Sequence, residues 1–325
     1  MAIDAYTRKM IELFFCYDRK RTALLGKNNR QLAHYTTADT AMKIIKGKSL
    51  WLRNAGVMND YSEIAYGKNV LEPVIKSELG VRLFDVLDSL RDGASNEVMR
   101  RHINHREHAR ETVFMASLSE HEPGNRLGRL SMWRAYGGPV AGVALLFRGD
   151  VTEIEPAVQL EISASPVLYG GPNEFVLEFL ELVTLLEQNI GFLKECDPDA
   201  VINTAAYLLQ VAMYSIKHPG FEEEQEWRII HRPYEFSSAH IRPTTVSIGG
   251  IPQAVYELPF HKPDADPLFN IPELDLNQIL EGVIIGPCLY PETVFRAFVD
   301  EMAAAGIENP KDRIVFSEIP LRQQG

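Results

Sequence analysis

Apolar residues recur at helical spacing between charges over residues 5–25 (Met10, Ile11, Phe14, Phe15), which predicts an amphipathic helix within an N-terminal segment of residues 1–30. A polar turn at 26–30 precedes a short strand, residues 31–35 (QLAHY). Thr36 and Thr37 are suited to cap a helix through Lys46, with Gly47 as its stop, and residues 49–53 (SLWLR) read as a second strand. From 57 to 110 the pattern is mostly helical: Leu71, Val74, Ile75 and Leu79 form one face, and Leu83, Val86, Leu87 and Leu90 another. Residues 112–119 (TVFMASLS) are β-rich, 131–136 suit a short helix or turn, and the continuous apolar run 142–147 (GVALLF) predicts a buried strand. The longest helical stretch, 173–216, breaks near Cys196–Pro198, and 226–231 (EWRIIH) is another strand. The chain closes as strand (282–285), helix (291–305) and strand (313–316). Between them, residues 232–281 are rich in proline and predict a long irregular connection or a loop facing an acceptor.

Helices of unequal length interrupt short strands, and neither a G-x-G-x-x-G nor a G-x-x-x-x-G-K-[ST] loop occurs. The pattern therefore predicts a compact α+β body rather than a doubly wound nucleotide fold, with a helical insertion at 173–218. Length alone suggests about two domains, but no repeat or low-complexity linker divides the chain, and one catalytic-type domain over 1–325 is the expectation. Composition adds exclusions. At 46% hydrophobic and 24% charged the chain is neither disordered nor fibrous, and no apolar run reaches the length of a membrane span. The N-terminus lacks the features of a secretory signal. The three cysteines are odd in number and widely separated, so a disulfide framework is not expected and a cytoplasmic setting is. A net charge of −11 argues against coating duplex DNA, although arginines cluster locally at Arg100, Arg101, Arg106 and Arg110.

Four segments carry candidate chemistry. His34, Tyr35 and Thr36 end the first strand; the imidazole is a donor suited to a ribose hydroxyl or amide, or alternatively a core-edge histidine bonded to a carbonyl. Met58–Glu63 (MNDYSE) places Glu63 three residues after Asp60, the spacing of a capping box rather than of a metal site. Ser117 and Ser119, followed by Trp133, Arg134 and Tyr136, offer hydroxyls, rings and a cation for a planar ligand bearing phosphates, although the Trp133–Tyr136 spacing also suits core packing. Finally, the acidic run 222–226 leads straight into an apolar strand. Glu224 and Glu226 share a face if that strand begins at 224, and two such carboxylates are costly without a ligand or cation. His102, His105 and His108 drift around a helix by about 60° per step and read as an exposed face, so no metal site is expected.

Together these segments resemble a bacterial family of uncharacterised domains whose motifs run HYT, MNDxxE, FxxSLSE, SMWRxYG and ExEWR; all occur in order between residues 31 and 231. The layout in turn resembles the ADP-ribosyltransferase superfamily. That resemblance implies a split β-sheet core and NAD as substrate. It also implies a bacterial toxin or antiviral defence effector, with a protein or nucleic acid as acceptor and a possible neutralising partner. It assigns His34, with Tyr35 and Thr36, to orienting NAD, and Ser117, Ser119, Trp133, Arg134 and Tyr136 to its pocket. Glu226 becomes the essential carboxylate and Glu224 the acceptor's helper. A first-position histidine combined with E-x-E mixes two branches of the superfamily. NAD glycohydrolase activity and a non-catalytic nucleotide- or partner-binding module are the alternatives.

Overall fold

The computed structural model describes residues 3–57, 61–152, 154–236, 238–260 and 274–320. Met58, Asn59 and Asp60 lie outside them, as does the side chain of Glu63, and with them the capping-box expectation.

The fold is mixed α+β. The N-terminal helix of the sequence reading is two helices, α1 (Ala5–Phe14) and α2 (Cys16–Lys27), with Asp4 capping the first through its side chain. Strand β1 (Gln31–Thr37) leads into α3 (Ala38–Gly47), capped by Thr37, and β2 (Ser49–Asn54) follows. Gly47 is the last helical residue rather than the residue beyond the stop: Lys48 takes the left-handed conformation at φ 46°. Three helices, α4 (Tyr61–Ile75), α5 (Glu78–Leu90) and α6 (Ala94–Thr112), precede β3 (Phe114–His121). Next come α7 (Leu130–Tyr136), β4 (Gly142–Arg148), α8 (Ile154–Leu160), β5 (Ile162–Pro166) and β6 (Leu168–Tyr169). The helical stretch is α9 (Pro172–Gln188), α10 (Ile190–Glu195) and α11 (Pro198–Tyr214), followed by β7 (Ile216–Lys217) and β8 (Glu226–His231). The chain ends with β9 (Arg242–Ile248), β10 (Ile251–Pro259), α12 (Leu276–Ile279), β11 (Leu280–Ile285), α13 (Pro291–Ala304) and β12 (Ile314–Phe316).

The Pro-rich stretch thus corrects the expectation of an irregular connection. Residues 242–259 form a hairpin, because the prolines fall where no ladder donor is needed and Gly249–Gly250 supply two positive φ angles.

The main sheet runs β12-β11-β4-β1-β3-β2-β10-β9, with β8 on β3 and β5 on β8. Among the described strands only β11 and β12 pair in parallel within it. One face carries Leu32, Leu118, Leu145 and Trp227, packed with Ile44 and Ile45 of α3 and Phe298 and Met302 of α13. On the other face α7 packs on Ala33, Tyr35, Ala144 and Ile284, while Met115 and Ile230 join the helical body built around α4–α6, α9 and α11. The site described below lies where this sheet splits, and residues of both faces line it: Ile44 and Ala116 from the first, Tyr35 and Met115 from the second. None of the described helices is long and apolar enough to cross a membrane.

The histidines of α6 also depart from expectation. Only His108 is exposed, whereas His102 and His105 are buried. α6 packs against α11, and His105 bonds both the Tyr214 hydroxyl, 2.7 Å from Nε2, and Glu235. Burial, reinforced by Arg106 and His105, pulls His102 down to about 4. A histidine kept neutral by the fold stabilises fully above its ordinary value of about 6.5 and loses that contribution as pH falls toward 4. His34, His121 and His231 shift in the same direction, each chiefly through burial. We expect urea-unfolding midpoints to drop between pH 7 and pH 4.5, with His102 contributing roughly 3 kcal/mol. His102→Gln should flatten that slope, and a slope unchanged by the substitution would refute the assignment.

Candidate functional site

The sheet divides along one edge of β3. At its far end β3 pairs with β1 (Leu32↔Glu120, Ala33↔Ser119), and at its near end with β2 (Arg53↔Met115, Asn54↔Phe114). Between these ladders β1 and β2 diverge, and the His34 imidazole fills part of the gap, its Nδ1 3.0 Å from the Ser117 carbonyl oxygen. The alternative reading of His34, a histidine bonded to a carbonyl, is therefore realised, but at the wall of a cleft. Burial and Arg53 pull its pKa down while the Ser117 carbonyl opposes them, so the ring is neutral at pH 7.

The opening at this split holds about 330 Å³ and is lined by His34, Tyr35, Thr36, Ser117, Ser119, Tyr136, Glu224 and Glu226, among others. Eight of the ten residues singled out from sequence thus meet around one cavity. Trp133 and Arg134 do not. Trp133 is buried edge-on against Tyr35, with centroids 4.8 Å apart, and its indole N–H donates to the Leu127 carbonyl at 2.9 Å. It supports the wall from behind instead of presenting a ring to a ligand. Arg134 is exposed and outside the lining. Tyr35 belongs with Trp133 in the small core beneath α7, and its hydroxyl accepts the Arg129 backbone N–H at 3.0 Å.

The acidic pair reaches the cleft by a route the strand argument did not foresee. Glu224 ends a 3-10 turn (Pro219–Glu224), Gln225 is left-handed at φ 43°, and β8 starts only at Glu226. The two carboxylates are brought together by a shared cation, not by strand alternation. Lys217 Nζ lies 2.6 Å from Glu224 Oε2 and 3.2 Å from Glu226 Oε2. Arg228 adds its Nε to Glu226 Oε1 at 2.9 Å and its Nη2 to Oε2 at 3.1 Å, and donates through Nη1 to the Tyr214 carbonyl at 2.6 Å. All three charged groups, Lys217, Glu226 and Arg228, are at most 4% exposed. Burial alone would push Glu226 up, but Arg228 and Lys217, with the nearby Ser117 hydroxyl, outweigh it and hold the carboxyl at about 2. A carboxylate offers about four lone-pair sites. Three are taken by these cations, which leaves capacity for one more donor.

Register sets the direction of these groups. Ser119 opposes Glu226 and Ser117 opposes Arg228 across β3–β8, and cross-strand partners project to the same face. Ser119 is 1% exposed, and its hydroxyl has no hydrogen-bond partner among the described residues, a cost normally relieved by a ligand or water.

Several supporting residues were missed in the sequence. Arg129 clamps the turn, donating to the carbonyls of Glu224 at 2.7 Å and Glu120 at 2.5 Å and to the Gln225 side chain at 2.8 Å. Glu120 accepts the Trp227 indole N–H at 3.1 Å, so the last residue of SLSE and the Trp of EWR hold one another. Tyr169 accepts the Glu226 backbone N–H at 2.7 Å. Trp51 and Arg53 also line the cleft. Their signal was visible in SLWLR, where Leu50 and Leu52 alternate with Trp51 and Arg53, so that one face of β2 carries a ring and a cation.

A protein-family model described as "Protein of unknown function (DUF2971)" matches residues 132–229. The match takes in Met132–Gly137 and Glu224–Arg228, and so part of the cleft lining, but not His34, Ser117 or Ser119. No curated protein and no solved structure matches the chain.

Proposed function

We propose that the chain is an NAD-dependent mono-ADP-ribosyltransferase acting on a macromolecule. The observation that carries this reading is convergence: an imidazole, two serines, a tyrosine and an ionised carboxylate, from segments up to 192 positions apart, line one cleft at a split in the sheet. The resemblance of the motifs to that superfamily, and to its toxin and defence members, comes from sequence; the geometry makes it chemically workable.

Cleavage of the nicotinamide–ribose bond develops positive charge on the ribose, with the logic of glycoside hydrolysis. Glu226 supplies a fixed negative charge, and its spare lone pair suits the 2′-hydroxyl of that ribose. Being ionised at every pH above about 2, it needs no proton transfer to act. His34 Nε2, free of the Ser117 contact, serves as a neutral partner for a ribose hydroxyl or the carboxamide. Arg53, rather than Arg134, is the cation placed to meet the pyrophosphate.

Hydrolysis, with water as acceptor, is favoured by one contact. Glu224, assigned to assist the acceptor, is held by Lys217 at 2.6 Å instead of standing free. Incubation with NAD labelled in the adenylate part separates the readings. Label on a macromolecule supports transfer, and label on free ADP-ribose supports hydrolysis. Intact NAD after prolonged incubation with folded protein and candidate acceptors would leave only a binding module.

A further inference from the structure

The last strand of the sheet, β9, pairs with β10 on one side and with no described strand on the other. Gly249 and Gly250, at φ 59° and 81°, make the two-residue turn that suits the twist of a hairpin. In such a hairpin the residues flanking the turn exchange hydrogen bonds, and hydrogen-bonded and open pairs then alternate. The register Ile251↔Ile248, Gln253↔Val246 and Val255↔Thr244 therefore spends the backbone groups of the even positions of β9 on β10. Thr245 and Ser247 direct their N–H and C=O groups outward, as does the C=O of Pro243, and all three residues are exposed.

Natural sheets blunt such an edge with lysines, bulges or inward-pointing charges. Here only Arg242 and Pro243, at one end, do so. From Pro243 to Tyr256 no residue is charged, and Thr244, Thr245, Val246, Ile248, Ile251 and Val255 are β-branched. Ile251 is 63% exposed. The rest of the surface belongs to a chain of charge −11, and two copies approaching through it repel each other. The hairpin is a surface where two copies meet without juxtaposing like charges. It also lacks the cations that a nucleic acid would need beyond Arg242.

We propose that the free edge of β9 binds a second copy of this chain, the two β9 strands pairing antiparallel about a two-fold axis to continue one sheet through both subunits. Such a contact is self-complementary, since each outward N–H of one strand meets an outward C=O of its twin. It is independent of the reading of the cleft: β9 reaches the cleft only through Ile248, and Thr245 and Ser247 stand outside its lining.

Sedimentation of the full chain tests it. The wild type should sediment as a dimer that tightens as ionic strength rises, because salt screens the mutual repulsion while the strand contact carries no ion pair. Thr245→Pro combined with Ser247→Pro removes both outward N–H groups and none of the donors to β10, and should give a folded monomer. Thr245→Lys, which needs no backbone adjustment, sets like charges on both sides of the axis and should weaken the dimer at least about tenfold. A wild type that sediments as a monomer, or a dimer that Thr245→Lys leaves intact, overturns the proposal.

Discussion

Glu226→Gln should lower NAD cleavage by about 10²–10³-fold, or roughly 2.7–4 kcal/mol of lost transition-state stabilisation. The amide preserves the size of the side chain and its oxygen can still accept from Arg228, but it removes the charge proposed to face the ribose. Released nicotinamide measures the rate, and calorimetry with NAD measures binding. The expected pattern is a large fall in kcat with NAD still bound, since a charge that develops only in the transition state leaves ground-state affinity little changed. The same substitution takes a carboxylate charge from beside two buried cations, although Lys217 keeps Glu224, so thermal unfolding must first fix a temperature at which the variant is folded. Full cleavage by folded Glu226→Gln protein would remove Glu226 from catalysis and leave it as the centre of a structural ion cluster.

The second large effect concerns that cluster. Arg228 is 1% exposed and bonds both oxygens of Glu226 and the carbonyl that ends α11. Arg228→Met fills much of the same space but leaves Glu226 with Lys217 as its remaining close cation and the Tyr214 carbonyl short of a donor. Breaking a buried pair from one side costs about 3–5 kcal/mol. Urea unfolding at pH 7 should show this as a lower midpoint with an unchanged slope, and a loss under about 1 kcal/mol would mean that the cluster does not hold β8 to α11. The pH dependence follows from the same carboxyl. Its folded value, about 2, lies below the ordinary 4.5, so its contribution is complete above 4.5 and disappears as pH falls through 2. Arg228→Met should shrink that acid-side loss, because with one cation gone burial raises the carboxyl toward its ordinary value.

The double role proposed for Glu226 is physically consistent. A carboxylate in a nearly dry site must be held by cations to stay ionised, and once held it is a preorganised negative charge needing little rearrangement during reaction. On the proposed reading, Lys217 and Arg228 act on chemistry through Glu226, as positioning groups.

Much of this molecule could be read from local pattern. The continuous apolar run at 142–147 became β4, the EWRIIH run became β8 at its expected bounds, and Thr37 caps α3 through its side chain, because burial period and capping chemistry are properties of neighbouring residues. Residues that line the cleft were likewise visible in HYT, SLS and EQE. What local pattern misjudged is what depends on partners distant in sequence. The hairpin at 242–259 was hidden because prolines signal irregularity until the register shows that they occupy donor-free positions. His102 and His105 looked solvated until the fold buried them, His105 against Tyr214 of α11, and Trp133 looked like a pocket wall until Tyr35 and the Leu127 carbonyl enclosed it. Spacing proposed that Glu224 and Glu226 share a face; Lys217, from the strand before the turn, in fact joins them. The amino-acid order by itself determined which chemical groups this protein possesses and which short elements carry them. Only the tertiary structure decided which groups share a cleft and which are ionised there, since both depend on burial and on charges that the fold brings within a few ångströms from remote parts of the chain.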